Sequence, residues 1–282
     1  VDTIRTGRSV GTEVIALDGP RRTPKHDDVA GEEPLELRLM SAGGITRTLA
    51  TTMRTPGNDF ELAAGFLYSE AIVRSRDEIV NLTYCLDSAI EPEQRYNVVS
   101  VELRDGAASA DLARFERHFT INSACGVCGR AQLDALRDLG IGVLKDDLRV
   151  PQNLLYELPE RMRTSQRIFA STGGLHAAAL FDERGEAIAV REDVGRHNAV
   201  DKLVGWGLLN ARLPFARTIL MVSGRTSYEI LQKSATARIP IVCSVSAPSS
   251  LAVDLARAFN ITLVGFLRDE RANVYAAPER VV

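Results

Sequence analysis

Apolar and polar positions follow two different rhythms along this chain, and the change of rhythm divides it. In the first part the rhythm is short. Leu35-Glu36-Leu37-Arg38-Leu39 alternates with the period of a half-buried strand, Gly43-Gly44 supplies a turn, and residues 45–53 read as the returning strand of a hairpin. Arg54-Thr55-Pro56-Gly57-Asn58 interrupts the pattern. Asn58 or Asp59 then caps a predicted helix running to about residue 72, with Phe60, Ala63, Ala64 and Leu67 inward and Glu61 and Glu70 on the solvated side. Further strands are predicted over 79–86 and 96–103.

The second rhythm starts at Arg167, where strand-like and helix-like segments alternate. Strands are predicted over 168–171, 177–181, 187–191, 218–223, 240–245 and 261–266, and helices over 198–209, 228–238 and 250–259. Such alternation specifies an open sheet covered by helices on both faces. Between the two parts, Asp105-Gly106 makes a turn, residues 111–119 can be helical, and Leu133, Leu136 and Leu139 mark one face of a helix that Gly140 ends. Residues 18–33 are polar and read as loop or partial disorder after one strand over 13–17. The expected organisation is a polar segment 1–33, a small α+β domain 34–110 and an α/β domain 111–282.

Composition narrows the class. The chain has 282 residues, 45% of them hydrophobic and 25% charged, which suits a globular protein with a sizeable core. With 34 basic against 37 acidic residues the formal charge is -3, so no overall positive field points to nucleic acid and an anionic ligand needs a local site. No apolar run has the length of a membrane span, and the first eight residues lack a secretory apolar stretch. Four cysteines, two of them isolated, do not form a disulfide framework, so a reducing cytoplasm is the expected location.

The paired thiols lie in Asn122-Ser123-Ala124-Cys125-Gly126-Val127-Cys128-Gly129-Arg130. Small residues around them permit a tight turn and close approach, and a following helix N-terminus favours the thiolate, the reactive form. Three chemistries compete for such a pair. Structural zinc needs four ligands, and Cys85, Cys243, His118 and His176 are too scattered to complete a set. A thioredoxin-type exchanger carries its motif near the start of a small domain, whereas more than a hundred residues precede this one. The third is a carrier of persulfide sulfur, which requires an acceptor site elsewhere in the chain.

Candidate acceptor loops lie at three strand-to-helix junctions: Asp193-Val194-Gly195-Arg196-His197-Asn198, Ser223-Gly224-Arg225-Thr226-Ser227 and Ser246-Ala247-Pro248-Ser249-Ser250. Free amides and the helix dipole make such ends natural phosphate sites, and Arg196 and Arg225 add forked donors. Ordinary capping by Ser, Thr and Asn accounts equally well for any one loop. Three together, two with arginine, favour a phosphate-rich ligand. Gly173-Gly174 before His176 permits close approach to a ligand, or simply turns the chain. His197 is placed to bond a ligand or move a proton, against the commoner structural role of a lone histidine. Near the C-terminus, Arg268 and Arg271 can close over an anion while Phe266 or Tyr275 stacks on a ring, with a solvated charged tail as the alternative.

Taken in order, Cys125-Gly126-Val127-Cys128-Gly129, Ser171-Thr172-Gly173-Gly174-Leu175-His176, Glu192 to Lys202, Ser223-Gly224-Arg225 with Ser227 and Glu229, and Gly265 to Arg271 closely resemble the FdhD/NarQ family of formate dehydrogenase accessory proteins. The likeness runs from about Glu33 to the end. The resemblance implies a homodimeric sulfur carrier that takes persulfide sulfur from a cysteine desulfurase. It delivers that sulfur to the bis(molybdopterin guanine dinucleotide) cofactor of formate dehydrogenase, bound as substrate, with no permanent metal. It implies Cys125 as the carrier, Cys128 as its assistant, and Phe266, Leu267, Arg268, Asp269, Glu270 and Arg271 as the cofactor-binding segment. Gly173, Gly174, His176, Arg196, His197, Ser223, Gly224 and Arg225 join that segment as expected cofactor contacts. The implied fold is α/β with a cytidine-deaminase-like mixed sheet covered by helices and a smaller N-terminal α+β unit. Deaminase chemistry does not follow, because neither His176 nor His197 opens a His-x-Glu pair and the cysteines precede both. A chaperone that only shields the cofactor and a thiol-disulfide oxidoreductase are the competing functions.

Overall fold

In a computed structural model, residues 7–40, 46–85, 92–104 and 129–282 are described. The turns expected at Gly43-Gly44 and Asp105-Gly106 and the helix expected over 111–119 lie outside them. The described strands form three sheets. An antiparallel ribbon joins β1 (Ser9–Asp18) to β2 (Arg21–Ala30). A four-stranded sheet has the order β4-β3-β6-β5, from β3 (Glu33–Met40), β4 (Thr46–Arg54), β5 (Ile79–Tyr84) and β6 (Val98–Leu103). The third sheet uses β7 (His176–Phe181), β8 (Ala187–Asp193), β9 (Ile219–Val222), β10 (Ile241–Ser244), β11 (Thr262–Arg268) and β12 (Arg271–Ala276), in the order β12-β11-β10-β9-β7-β8.

Seven α-helices among the described residues complete the fold: α1 (Asp59–Ser69), α2 (Gly129–Asp138), α3 (Gln152–Arg163), α4 (Arg167–Thr172), α5 (Arg196–Leu209), α6 (Tyr228–Thr236) and α7 (Ser250–Phe259). None is long and apolar enough to cross a membrane. Alternation along the strands of the large sheet builds two cores. Ala178, Leu180, Leu220, Val222, Val242 and Leu263 face α5, α6 and α7, while Ala177, Ala179, Phe181, Ile219, Met221, Ile241 and Val264 face α3. Both faces are thus covered, which is why these strands read as continuous apolar runs. The small sheet buries Leu35, Leu37, Val99 and Val101 against Leu62, Ala63 and Leu67 of α1.

The small sheet meets the large one through a tight crossing of α1 and α5. A Cβ on Gly65 would fall on the Asp201 carbonyl, and one on Gly205 would fall on the Glu61 carbonyl. Hydrogen alone fits at either position. Beside the crossing, Lys233 of α6 gives two bonds of 2.8 and 2.9 Å to Asp201, and Ser69 Oγ bonds Asp201 at 2.9 Å. Burial opposes the Lys233 ammonium, but the carboxylates of Asp201 and Glu70 outweigh it and hold its pKa above the ordinary lysine value.

Several expectations are corrected here. Residues 21–30 form a strand, stabilised by pairing with β1 and not by an apolar face, so no periodicity announced it. Residues 168–171 are helical because the Glu192 carboxylate accepts from the amides of Ile168 (3.1 Å) and Phe169 (2.8 Å), a cap supplied from a distant strand. Helix α3 went unread because Pro159 interrupts it, although Leu154, Leu155, Leu158 and Met162 are buried. Glu61 and Glu70 are not simply a solvated side of α1. Glu61 receives Arg191 through two bonds of 2.5 and 2.8 Å, and Glu70 is partly buried next to Asp201, Lys233 and Glu229.

Two outcomes follow for stability. Gly205→Ala is expected to lower unfolding free energy by about 3 kcal/mol or more in urea titrations, since the clash is with backbone and cannot relax by a rotamer change. Burial raises the Glu70 carboxyl above its ordinary 4.5, with Asp201 and Glu229 adding to the rise against Lys233. The folded state therefore holds that proton more tightly, and the stability it contributes is full below 4.5 and lost as pH climbs through the raised value. Glu70→Gln should accordingly gain on the parent as pH rises across that window, measured by denaturation at a series of pH values; a constant difference would remove Glu70 from this role.

Candidate functional site

Strand direction brings the predicted loops to one end of the large sheet. β9, β10 and β11 run parallel, while β7 runs antiparallel to both β8 and β9. The C-terminal ends of β8, β9, β10 and β11 therefore share an end with the first residue of β7, His176. Ligands of open α/β sheets bind at such an end.

Asp193, fully buried, fixes the first loop. Its Oδ1 accepts from Gly195 N at 2.8 Å and Asn198 Nδ2 at 3.0 Å, and its Oδ2 accepts from Thr55 N at 3.1 Å and lies 2.6 Å from Lys202 Nζ. Burial pulls the Lys202 ammonium below the ordinary lysine value, and Asp193 resists that pull. With Asp193 held, α5 starts at Arg196 and presents Arg196 and His197 to the end of the sheet.

The second loop packs against them. Ser223 Oγ accepts from Ala177 N at 2.9 Å and sits 3.5 Å from His176 Nδ1. A Cβ added to Gly224 would lie 3.2 Å from His176 Nδ1 and 3.6 Å from Arg196 Cδ, so this glycine lets the imidazole and the arginine stem close over the loop. Burial first, then the charge of Arg196 and the neighbouring His197, lowers the His176 pKa, which leaves the ring neutral near neutral pH. His197 Nε2 reaches Ser227 Oγ at 2.9 Å and Glu229 Oε2 at 2.7 Å. That hydrogen bond holds the Glu229 carboxyl below its usual range.

The third loop and the last hairpin complete the end. Ser249 N donates to Thr226 O at 2.9 Å, and Phe266 N donates to Ser246 O at 3.2 Å. A bulge between Gly265 and Arg268 gives Phe266 a left-handed φ of 53° and turns its ring outward, 37% exposed, while Leu267 is buried in the core. Arg268 and Arg271 face each other across a turn in which Asp269 and Glu270 have φ of 49° and 56°. Two like charges placed opposite repel one another, so an anion between them would relieve the pair.

Of the expected contacts, His176, Arg196, His197, Ser223 and Gly224 come together. Arg225 is exposed on the same loop, and Phe266, Arg268 and Arg271 are exposed on the neighbouring hairpin. Leu267 can reach a ligand only through its backbone. Gly173 is the left-handed C-cap of α4, and Gly174 lies against Ala30 of the ribbon. Cys125, Cys128 and His118 lie outside the described residues. Capping explains Ser249, whose side chain accepts from Ala252 N, but not Ser227, whose hydroxyl turns to His197. No spacing in the chain announces the His197–Glu229 contact or two buried atoms without a partner, Arg196 Nε and Thr226 Oγ1. Both orphan atoms belong to the loops at this end, and buried polar groups left unpaired are costly unless a ligand or water completes them.

The sequence profile of the FdhD/NarQ family matches residues 30–282. A relative from Streptomyces coelicolor, sulfur carrier protein FdhD, is 50% identical over 271 residues, covering 95% of this chain and 94% of its own. The protein of the same name from Sulfurisphaera tokodaii is 46% identical over 270 residues, covering 96% and 98%. Among solved structures, a protein from Desulfotalea psychrophila assigned as a formate dehydrogenase accessory protein superposes with a TM-score of 0.73 at 25% identity, over 97% of this chain and 99% of that one. With the fold and nearly the whole length shared, the chain belongs to the FdhD/NarQ family.

Proposed function

We propose that this protein is a sulfur carrier that activates formate dehydrogenase by sulfurating its bis(molybdopterin guanine dinucleotide) cofactor. The observation that carries the reading is 50% identity along almost the entire chain to a relative named for sulfur carriage, in a sequence that holds a Cys-x-x-Cys pair. Two further observations support it. Cys85 and Cys243 are buried, and burial pushes the Cys243 thiol up, so neither is a suitable nucleophile. The end of the large sheet, moreover, offers what a nucleotide phosphate needs: helix starts, arginines and unpartnered buried polar atoms.

In this reading the Cys125 thiolate attacks the outer sulfur of the desulfurase persulfide, and the donor cysteine leaves as a thiolate. Cys125 then carries a persulfide. Cys128 next attacks the inner sulfur, the S–S bond of the persulfide breaks with its electron pair on the terminal sulfur, and sulfide is delivered to the cofactor. The two cysteines are left as a disulfide, which a cellular thiol reduces. Arg225, Arg268 and Arg271 would hold phosphates, Phe266 would stack on the guanine, and Arg196 would bond the pyrophosphate. His197, held by Glu229, is positioned to donate a hydrogen bond. Action in the cytoplasm, where thiols stay reduced, belongs to the same proposal.

A two-way split of phenotypes tests this. Cys125→Ala is expected to abolish formate dehydrogenase activation while guanosine diphosphate binds with unchanged affinity in calorimetry. Arg268→Ala and Arg225→Ala are expected to weaken that binding about tenfold or more, as loss of a charge-assisted hydrogen bond does. Full activation by Cys125→Ala would end the carrier reading, and unchanged nucleotide affinity in both arginine variants would move the cofactor elsewhere.

A further inference from the structure

Two histidines reach the same end of the large sheet, and the bonds around them set them apart. His197 lies in the first turn of α5, with its Nε2 2.7 Å from Glu229 Oε2 and 2.9 Å from Ser227 Oγ. A carboxylate only accepts, so Nε2 carries the hydrogen and Glu229 fixes the tautomer. Nδ1 has no hydrogen bond among the described residues, and it is not one of the buried atoms left without a partner, so solvent or a ligand can reach it. In the neutral ring that atom presents a lone pair, which repels an anion. In the charged ring it presents an N–H, which attracts one.

The rest of this helix start suits an anion. Gly195 precedes α5 without a side-chain cap, and Arg196, the next residue, keeps a buried Nε without a partner. His176 packs beside Arg196 against Gly224, and burial, then Arg196 and His197, drives its ring toward the neutral form. It therefore brings no second positive charge. Around His197, Arg196 from its own helix and Lys233 from α6 oppose charge on the ring, and Lys233 is itself paired with Asp201. Asp193, at the end of β8, is paired with Lys202. From α1, Glu61 is paired with Arg191, and burial opposes the charge of Glu70. Tyr228, next to Glu229, has its hydroxyl pushed up by burial and stays neutral. Glu229 is the group in contact with the ring that favours the imidazolium.

We propose that His197 takes up a proton as the phosphates of a nucleotide bind, and that Glu229 is the positioning residue that stabilises the charged ring. The inference rests on the reading of this end as a nucleotide site. The step is acid–base with no redox change: one proton passes from solvent to Nδ1, the imidazole becomes imidazolium, and the new N–H donates to a phosphate oxygen. Protonation and binding are then linked, each strengthening the other by the same factor. Affinity is full where the ring is already charged, and it falls as pH rises, because each binding event must draw its proton from a more basic solvent. Loss of the same proton loosens the ligand, so the pair regulates how firmly the site holds what it carries.

Calorimetry of the full chain with guanosine diphosphate mannose tests the assignment, because both phosphates of that probe are esterified and neither titrates near neutrality. Titrations at one pH in buffers of different ionisation enthalpy count the protons taken up. The parent is expected to take up a fraction of a proton per ligand near neutral pH. Its affinity should fall about tenfold between about pH 6 and about pH 8, as loss of a charge-assisted hydrogen bond implies. His197→Gln, which keeps a donor toward Glu229, should show no uptake and a flat profile, whereas His176→Gln should keep the uptake of the parent. Glu229→Gln should move the fall in affinity to lower pH. Binding without uptake in the parent, uptake that survives His197→Gln or disappears in His176→Gln, or an unmoved profile in Glu229→Gln would overturn this inference alone. No binding of the probe by the parent at any pH would overturn the nucleotide reading itself, and this inference with it.

Discussion

One buried carboxylate determines where the candidate site can form. Asp193 gives both oxygens to partners from two parts of the molecule: Lys202, Gly195 and Asn198 from the start of α5, and Thr55 from the segment that leaves the small sheet. The tie is reciprocal, because Lys202 donates to Thr55 O at 2.9 Å and Asn198 to Met53 O at 2.7 Å. A charge so deeply buried is tolerable only when every lone pair is met. The same set of bonds thus sets the entry angle of α5, hence the positions of Arg196 and His197, and docks the small sheet against the large one. Shape and chemistry are coupled at that residue.

The glycine crossing of α1 and α5 serves the same end by different physics. Where Asp193 specifies direction, Gly65 and Gly205 specify distance, letting two backbones approach until carbonyl and Cα are in contact. The Asp201–Lys233 pair then locks α6 to that crossing, and α6 carries Glu229, the partner of His197. A chain of contacts consequently runs from the small sheet to the end of the large sheet where the arginines gather. That end exposes Arg225, Arg268 and Arg271 beside Phe266, whereas Cys85 and Cys243 are buried.

Much of this was legible in the sequence because the large sheet obeys simple rules. Runs such as Ile219 to Val222 and Ile241 to Ser244 are buried on both faces, and each is followed by a turn and a helix, so strand positions and loop chemistry could be read together. The features that escaped depend on partners distant in the chain. Helix α4 depends on Glu192, β2 on pairing with β1, and α3 on packing that overrides its proline. The His197–Glu229 contact spans two helices, and no spacing rule joins them. Motifs supplied the candidate residues for the site, but only the packed sheet could show that His176, Arg196 and Gly224 lie against one another while Leu267 belongs to the core.

The central claim is that sulfur travels on Cys125, and the most direct test follows the sulfur itself. Incubation with a cysteine desulfurase and cysteine, followed by mass spectrometry of the intact chain and its peptides, should show a gain of one sulfur atom confined to the peptide that contains Cys125 and absent in Cys125→Ala. No gain in the parent protein, or a gain located on Cys85 or Cys243, would contradict the account.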